Sequence, residues 1–205
     1  MILRIFGHDF HYECENLCRV YYPNEKINIV YDDSGEDDKT VITRCIPTDG
    51  GNVVEVEVCI GGESRKASST VFAEADELRD KSELETARLM FALLSELTGY
   101  TPPWGVLTGV RPSKLMLRLT EQYGADEAYR YFTEDLLVSK EKATLAQTVA
   151  KAEEKIVALS ENNSFSLYVS IPFCPTRCSY CYFVSHSIAF SNAKKLLPEY
   201  LEKLA

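Results

Sequence analysis

Phe165-Ser-Leu-Tyr-Val-Ser-Ile171, followed by Pro172-Phe-Cys174-Pro-Thr-Arg-Cys178-Ser-Tyr-Cys181, decides how the C-terminal part of this chain is read. Its leading run is rich in aromatic and β-branched residues, which predicts a strand, and the prolines around Cys174 predict a loop leaving that strand. Three cysteines at i, i+4 and i+7 would also fit the buried face of a helix, but Pro172 and Pro175 oppose that reading. A loop this dense in soft ligands reads instead as a cradle for an iron–sulfur cluster. Three thiolates hold three irons of a [4Fe-4S] cube and leave the fourth open to an exogenous molecule, which points to radical chemistry. Structural zinc is the competitor, because His186 downstream would complete a Cys3His tetrahedron. Zinc sites commonly pair their ligands as C-x2-C knuckles, whereas C-x3-C followed by C-x2-C suits three corners of a cube.

The rest of the chain sets the context. With 205 residues and 45% hydrophobic content it is a globular protein rather than a disordered one. A formal net charge of −9 argues against a nucleic-acid surface, which needs clustered Lys and Arg. Part of the acid is local, in Asp32-Asp-Ser-Gly-Glu-Asp-Asp38, which reads as a solvated loop. No apolar run approaches the ~20 residues of a membrane span and no signal-peptide pattern follows Met1, so a cytoplasmic protein without membrane contact is expected. There an odd count of seven cysteines is not a disulfide framework.

Strand signals at Ile2 to Phe6, Lys26 to Tyr31, Thr40 to Ile46 and Val53 to Ile60 surround an amphipathic helix from Phe10 to Tyr22, and a further strand is expected near Ser68 to Phe72. Thr48-Asp-Gly-Gly-Asn52 is a hairpin signature, and Val54, Val56, Val58 and Ile60 alternate with polar residues, so one face should be buried. From Ser82, spaced with Glu85 as a capping box, Ala87, Phe91, Leu94 and Leu97 form a helical stripe that ends at Gly99. Helices are expected from Pro112 to about Tyr123, over Asp126 to Leu136, and over Lys140 to Ser160 with Leu145, Val149, Ala152, Ile156 and Leu159 as the packing stripe. A boundary is expected at the polar Ser160 to Ser164 connection. The fold class is therefore an α+β N-terminal domain, a short antiparallel sheet plus helices, over 1–100, then a helical extension over 101–160, then a C-terminal portion over 161–205.

Tyr168-Val-Ser-Ile-Pro-Phe-Cys174-Pro-Thr-Arg-Cys178-Ser-Tyr-Cys181-Tyr-Phe183 resembles the first strand and cluster loop of radical S-adenosylmethionine enzymes, specifically the oxygen-independent coproporphyrinogen III dehydrogenase family. Thr101-Pro-Pro-Trp-Gly-Val-Leu-Thr-Gly-Val-Arg-Pro-Ser-Lys114 resembles the signature of a bacterial HemZ-like subgroup with an extension before its barrel. The resemblance implies that residues 161–205 are the first βα unit of a partial TIM-like barrel. It implies that Cys174, Cys178 and Cys181 hold the [4Fe-4S] cluster, that S-adenosyl-L-methionine chelates the open iron, and that Tyr168, Tyr180 and Phe183 lie against that cofactor. It further implies an electron donor, and oxidative decarboxylation of a tetrapyrrole propionate to a vinyl group through a 5′-deoxyadenosyl radical. The family's dehydrogenases carry a cysteine where this chain has Phe183, and many relatives have His at Ser170. Phe at the former position also occurs in related haem chaperones, which gives a non-enzymatic alternative. The zinc-stabilised interaction module is the third.

Gly61-Gly-Glu63 imitates the family's Gly-Gly-Glu but precedes the cysteine loop and reads as the end of a strand. Cys14, Cys18, Cys45 and Cys59 read as buried rather than as a second metal site. In the Trp104 to Lys114 loop, Gly105 and Gly109 allow close backbone approach, Pro112 suits the first helical position, and Arg111 and Lys114 add charge. A rigid interdomain turn is the expected role; the functional one is that Arg111 and Lys114 meet carboxylates of a tetrapyrrole or line the domain interface. Only 41 residues separate Phe165 from Ala205, inclusive. A (βα)n barrel needs about 200 or more. Leu197, Tyr200, Leu201 and Leu204 begin an apolar helical stripe after Pro198 that reaches Ala205 without a C-cap, so the sequence reads as cut short and inactive alone.

Overall fold

A computed structural model describes residues 1–161, 163–176, 178, 185–189 and 191–204. Met1–Leu159 forms one compact unit and Ser160–Ala205 another.

The first unit is a mixed α/β layer. Strands β1 (Ile2–Phe6), β2 (Asn28–Val30), β3 (Lys39–Thr48), β4 (Gly51–Ile60) and β5 (Glu63–Phe72) make a five-stranded sheet in the order β2-β1-β3-β4-β5. The expected antiparallel sheet is antiparallel only from β3 to β5, since β1 pairs in parallel with both β2 and β3. The reason is the crossover: helix α1 (His11–Tyr21) carries the chain from β1 back to start β2 in the same direction. The strand predicted near Ser68 to Phe72 is twice as long as its apolar signal, because Gly61 and Gly62, at φ +57° and +87°, make a tight two-residue turn that pairs Ile60 with Glu63. Gly61-Gly-Glu63 is thus a hairpin.

Register puts Leu3, Val41, Val58 and then Ile5, Thr43, Val56 side by side on one face of the sheet. All six are essentially inaccessible to solvent. Complete burial of the five aliphatic side chains among them contributes roughly 1.5–3 kcal/mol each. Glu55, Glu57 and Cys59 point to the other face, as the alternation predicts.

Helix α2 (Leu78–Thr98) packs on β4 and β5 and against α1. It begins a turn earlier than the capping-box reading. Ser82 is buried inside it, donating to the Leu78 carbonyl at 2.6 Å and accepting from Asn52 Nδ2 at 3.0 Å, so its hydroxyl is used across the sheet rather than as a cap. Gly99 ends the helix in the left-handed conformation, as expected.

Helices α3 (Pro112–Tyr123), α4 (Ala125–Arg130) with a π-helical continuation over Tyr131–Asp135, and α5 (Lys140–Val157) complete the unit and share its core through Met116, Leu119, Phe132 and Ala146. The stripe expected to pack α5 does not. Leu145, Val149 and Ile156 are exposed, while Ala143, Ala146 and Ala150 are buried where α5 meets α3. Both stripes have helical spacing, and the alanine face allows the closer approach of two helices.

The second unit contains a two-residue parallel ribbon, β6 (Phe173–Cys174) with β7 (His186–Ser187), and helix α6 (Ser191–Leu204). The strand predicted over Phe165 to Ile171 is not one among the described residues: that run pairs with nothing, and Phe165, Leu167 and Ile171 are exposed. A strand needs a ladder partner, which β propensity alone does not supply. Helix α6 starts before Pro198 and carries it inside, correcting a start after it. No helix among the described residues is long and apolar enough to cross a membrane.

Candidate metal centre and the glycine-proline loop

The ribbon frames the cysteine loop. The Pro172 carbonyl accepts the His186 N–H at 2.7 Å and the Cys174 carbonyl accepts the Ile188 N–H at 2.9 Å, so the chain that leaves at Cys174 is brought back at His186. Cys174 is half-buried at the end of β6 and Cys178 is exposed on the loop; both thiols are free. Cys181, Tyr180 and Phe183 lie outside the described residues. The available donor chemistry, two unpaired thiols four positions apart on a bracketed loop, fits a thiolate-ligated cluster.

Register bears on His186. Phe173 pairs with His186 and Cys174 with Ser187, so strand alternation puts Cys174 and His186 on opposite faces of the ribbon. The His186 ring lies 6.0 Å from that of Phe173, which also meets the Tyr200 ring edge-on at 5.2 Å. Within the ribbon, His186 belongs to an aromatic cluster and not to the thiol side.

Tyr168 is exposed, with no hydrogen-bond partner among the described residues. A positioning residue that the sequence did not single out is Tyr200, whose hydroxyl donates to the Ser170 carbonyl at 2.6 Å and so ties α6 to the segment feeding the loop. Its only signal was its place in an apolar helical stripe, which says nothing of its hydroxyl.

In the first unit Cys14, Cys18 and Cys45 are buried as expected, whereas Cys59 is only half-buried, its thiol donating to Ser64 Oγ at 3.3 Å. Burial pushes the Cys18 thiol up to about 12 and the Cys14 thiol higher still, leaving both protonated and unreactive. His8 is held neutral by burial, its pKa lowered to about 4. Its Nδ1 accepts the Phe10 N–H at 3.1 Å, which leaves Nε2–H to donate to Thr43 Oγ1 at 3.0 Å. His11 is exposed. Among the described residues no group of three or more His, Cys, Asp or Glu side chains is placed to hold a metal.

Part of the Thr101 to Lys114 loop packs closely against residues 136–139. Gly105 adopts φ +58°, and a Cβ there would lie 2.0 Å from the Leu136 carbonyl oxygen and 2.5 Å from that of Leu137. The close approach permitted by Gly105 is to this backbone, locked by Val106 N–H to Leu136 O at 2.9 Å and Ser139 N–H to Pro103 O at 3.0 Å. Pro112 opens α3 as expected, and Arg111 and Lys114 are exposed.

With this geometry in hand, comparison with curated proteins finds 29% identity over 201 residues with the oxygen-independent coproporphyrinogen-III oxidase-like protein HemZ of Bacillus subtilis (strain 168). The chain is similar to HemZ. The match takes in 92% of this chain, covering residues of both units, and 39% of HemZ, so the chain spans well under half the length of that relative. It is the subgroup to which the two motifs point. No protein-family profile and no solved structure matches the chain.

Proposed function

We propose that the chain carries the cluster-binding segment of a radical S-adenosylmethionine oxidoreductase of the coproporphyrinogen-oxidase-like kind. The observation that carries this reading is the cysteine loop bracketed by the β6–β7 ribbon in a chain whose similarity to HemZ runs through nearly its whole length. Cys174, Cys178 and Cys181 hold a [4Fe-4S] cluster. Tyr168, Tyr180 and Phe183 flank S-adenosylmethionine, and residues 161–205 form the first βα unit of a partial barrel. When bound, the cluster and S-adenosylmethionine supply the one-electron chemistry that oxidises a tetrapyrrole propionate with loss of carbon dioxide, given an electron donor in the cytoplasm. Here the protein's part is positional: Tyr200 fixes the Ser170 backbone ahead of the loop, and the Pro172 and Cys174 carbonyls fix its two ends. The register of Cys174 against Ser187 rather than His186 supports the cluster over Cys3His zinc.

Since the chain spans 39% of HemZ, the proposal includes that these residues alone hold a cluster weakly and turn over no coproporphyrinogen III. The test is anaerobic reconstitution with ferrous iron and sulfide, followed by iron, sulfide and zinc analysis of the chain and of its Cys174→Ala, Cys178→Ala and Cys181→Ala variants. Substoichiometric iron and sulfide, lost in each variant, is the expected result. Zinc retained with no iron, or iron uptake indifferent to all three substitutions, refutes the cluster; 5′-deoxyadenosine formed by the chain alone refutes its inactivity.

A further inference from the structure

The first unit carries an apolar cleft of about 430 Å³ that the cluster reading leaves unused. Tyr100, Pro102, Pro103, Trp104, Leu107 and Val110 supply most of its lining, and no carboxylate takes part. It is open to solvent: Tyr100 and Val110 are each about half exposed. Its floor is stiff, because Gly105 is locked against Leu136 and Leu137, and because the Tyr100 ring stands edge-on to that of Tyr21 at 6.1 Å.

In a chain of formal net charge −9, the lining of this cleft carries no charged side chain. A second cleft of the unit is lined by Asp80, Lys81, Glu85, Arg88 and Asp135, and a third, which shares Leu107 and Val110 with the apolar cleft, by Glu13, Asp80, Glu83 and Arg118. Beside the apolar cleft, Arg111 stands between two lining residues, Val110 and Pro112, and Lys114 follows one turn later on α3. Both are exposed, and among the described residues neither has a carboxylate within ion-pairing distance. Elsewhere in the unit Arg19, Arg65, Arg79, Arg88 and Arg130 are each paired with acid, whereas Arg118 is exposed with no ion pair among the described residues, and Lys142 Nζ lies 5.6 Å from the Trp104 ring centroid, a third cation at the cleft.

We infer that this cleft is a docking site for an acidic protein segment that inserts an aromatic or large aliphatic side chain between Tyr100, Trp104 and Val110 and sets carboxylates against Arg111 and Lys114. An apolar floor rewards a buried anchor, and unpaired rim cations select negative charge around it. A drug-sized molecule is disfavoured because such ligands bury most of their surface, which walls half open to solvent do not provide. The inference is independent of the cluster, since every residue it uses belongs to the first unit.

Trp104 is the chain's one tryptophan, so the cleft reports on itself. A random-peptide library is panned on the 205-residue chain, and enriched peptides are synthesised and titrated while Trp104 emission is followed. Enrichment of acidic sequences with an aromatic or leucine anchor is expected, with a saturable emission shift that weakens as salt is raised. Arg111→Glu combined with Lys114→Glu should weaken binding about tenfold or more. Val110→Asp, which puts acid into the cleft itself, should do the same, and both variants should keep the parent's unfolding temperature. No enrichment, enrichment of neutral or basic peptides, or binding that ignores both variants overturns the inference. So does Trp104 emission that changes with protein concentration alone in step with dimerisation, which makes a second copy the occupant.

Discussion

Gly105→Ala is expected to be among the most damaging single-methyl additions in the first unit, and its cost can be worked from the structure. At φ +58° an alanine is held in the left-handed region, a penalty of about 1–2 kcal/mol. The new methyl would sit 2.0 Å from Leu136 O, with Leu137 C and Leu137 O both at 2.5 Å. All three are backbone atoms, so no side-chain rotation relieves the overlap and the two strands of the turn must separate. That strains the bonds from Val106 N–H to Leu136 O and from Ser139 N–H to Pro103 O. Leaving one such buried donor unpaired costs about 1–3 kcal/mol. Together the terms come to about 2–5 kcal/mol. Gly99→Ala is the control: it has φ +66° but nothing within 4 Å of the added carbon, so only the conformational penalty of about 1–2 kcal/mol applies. Equilibrium urea unfolding followed by Trp104 emission, which reports this turn directly, measures both. If Gly105→Ala costs no more than Gly99→Ala, the clamp between the two loops is not rigid and the reasoning fails.

Three other outcomes follow from particular residues. His8 has a folded pKa of about 4 against an ordinary value of 6.5, so as pH falls the unfolded chain takes up a proton first. Its contribution to stability is intact above pH 6.5 and lost between 6.5 and about 4; the unfolding temperature should fall across that window and fall less steeply in His8→Gln. Iodoacetamide at mildly alkaline pH should label Cys178 quickly in the folded chain and spare Cys14 and Cys18, as read by peptide mass spectrometry; early labelling of Cys14 would contradict its burial. On α5, Ala146→Leu should destabilise by about 1–3 kcal/mol through overpacking against α3, whereas Leu145→Ala should change stability by no more than about 0.5 kcal/mol, with urea unfolding as the readout.

The residues that misled are as instructive as those that did not. Ser82 with Glu85 satisfies the capping-box spacing, yet the Ser82 hydroxyl bonds Leu78 and Asn52, the latter on a strand thirty residues away. The Leu145 stripe obeys helical period, yet so does the Ala143 stripe, and only the presence of α3 beside one of them chose between the two. The Phe165 to Ile171 run has the composition of a strand, and among the described residues it has no partner.

What the sequence determined by itself was whatever local chemistry dictates. Alternation on β4, the glycine turns, Gly99 as a helix end and Pro112 as a helix start each follow from steric requirements within a few residues. The parallel placement of β1, the lock of Gly105 on Leu136, the Tyr200 hydroxyl on Ser170, the side of the ribbon that His186 takes and the bare cations beside an apolar cleft were decided only by tertiary structure. Each joins groups far apart in the chain, and no residue carries a local preference that encodes which distant backbone or ring it will meet.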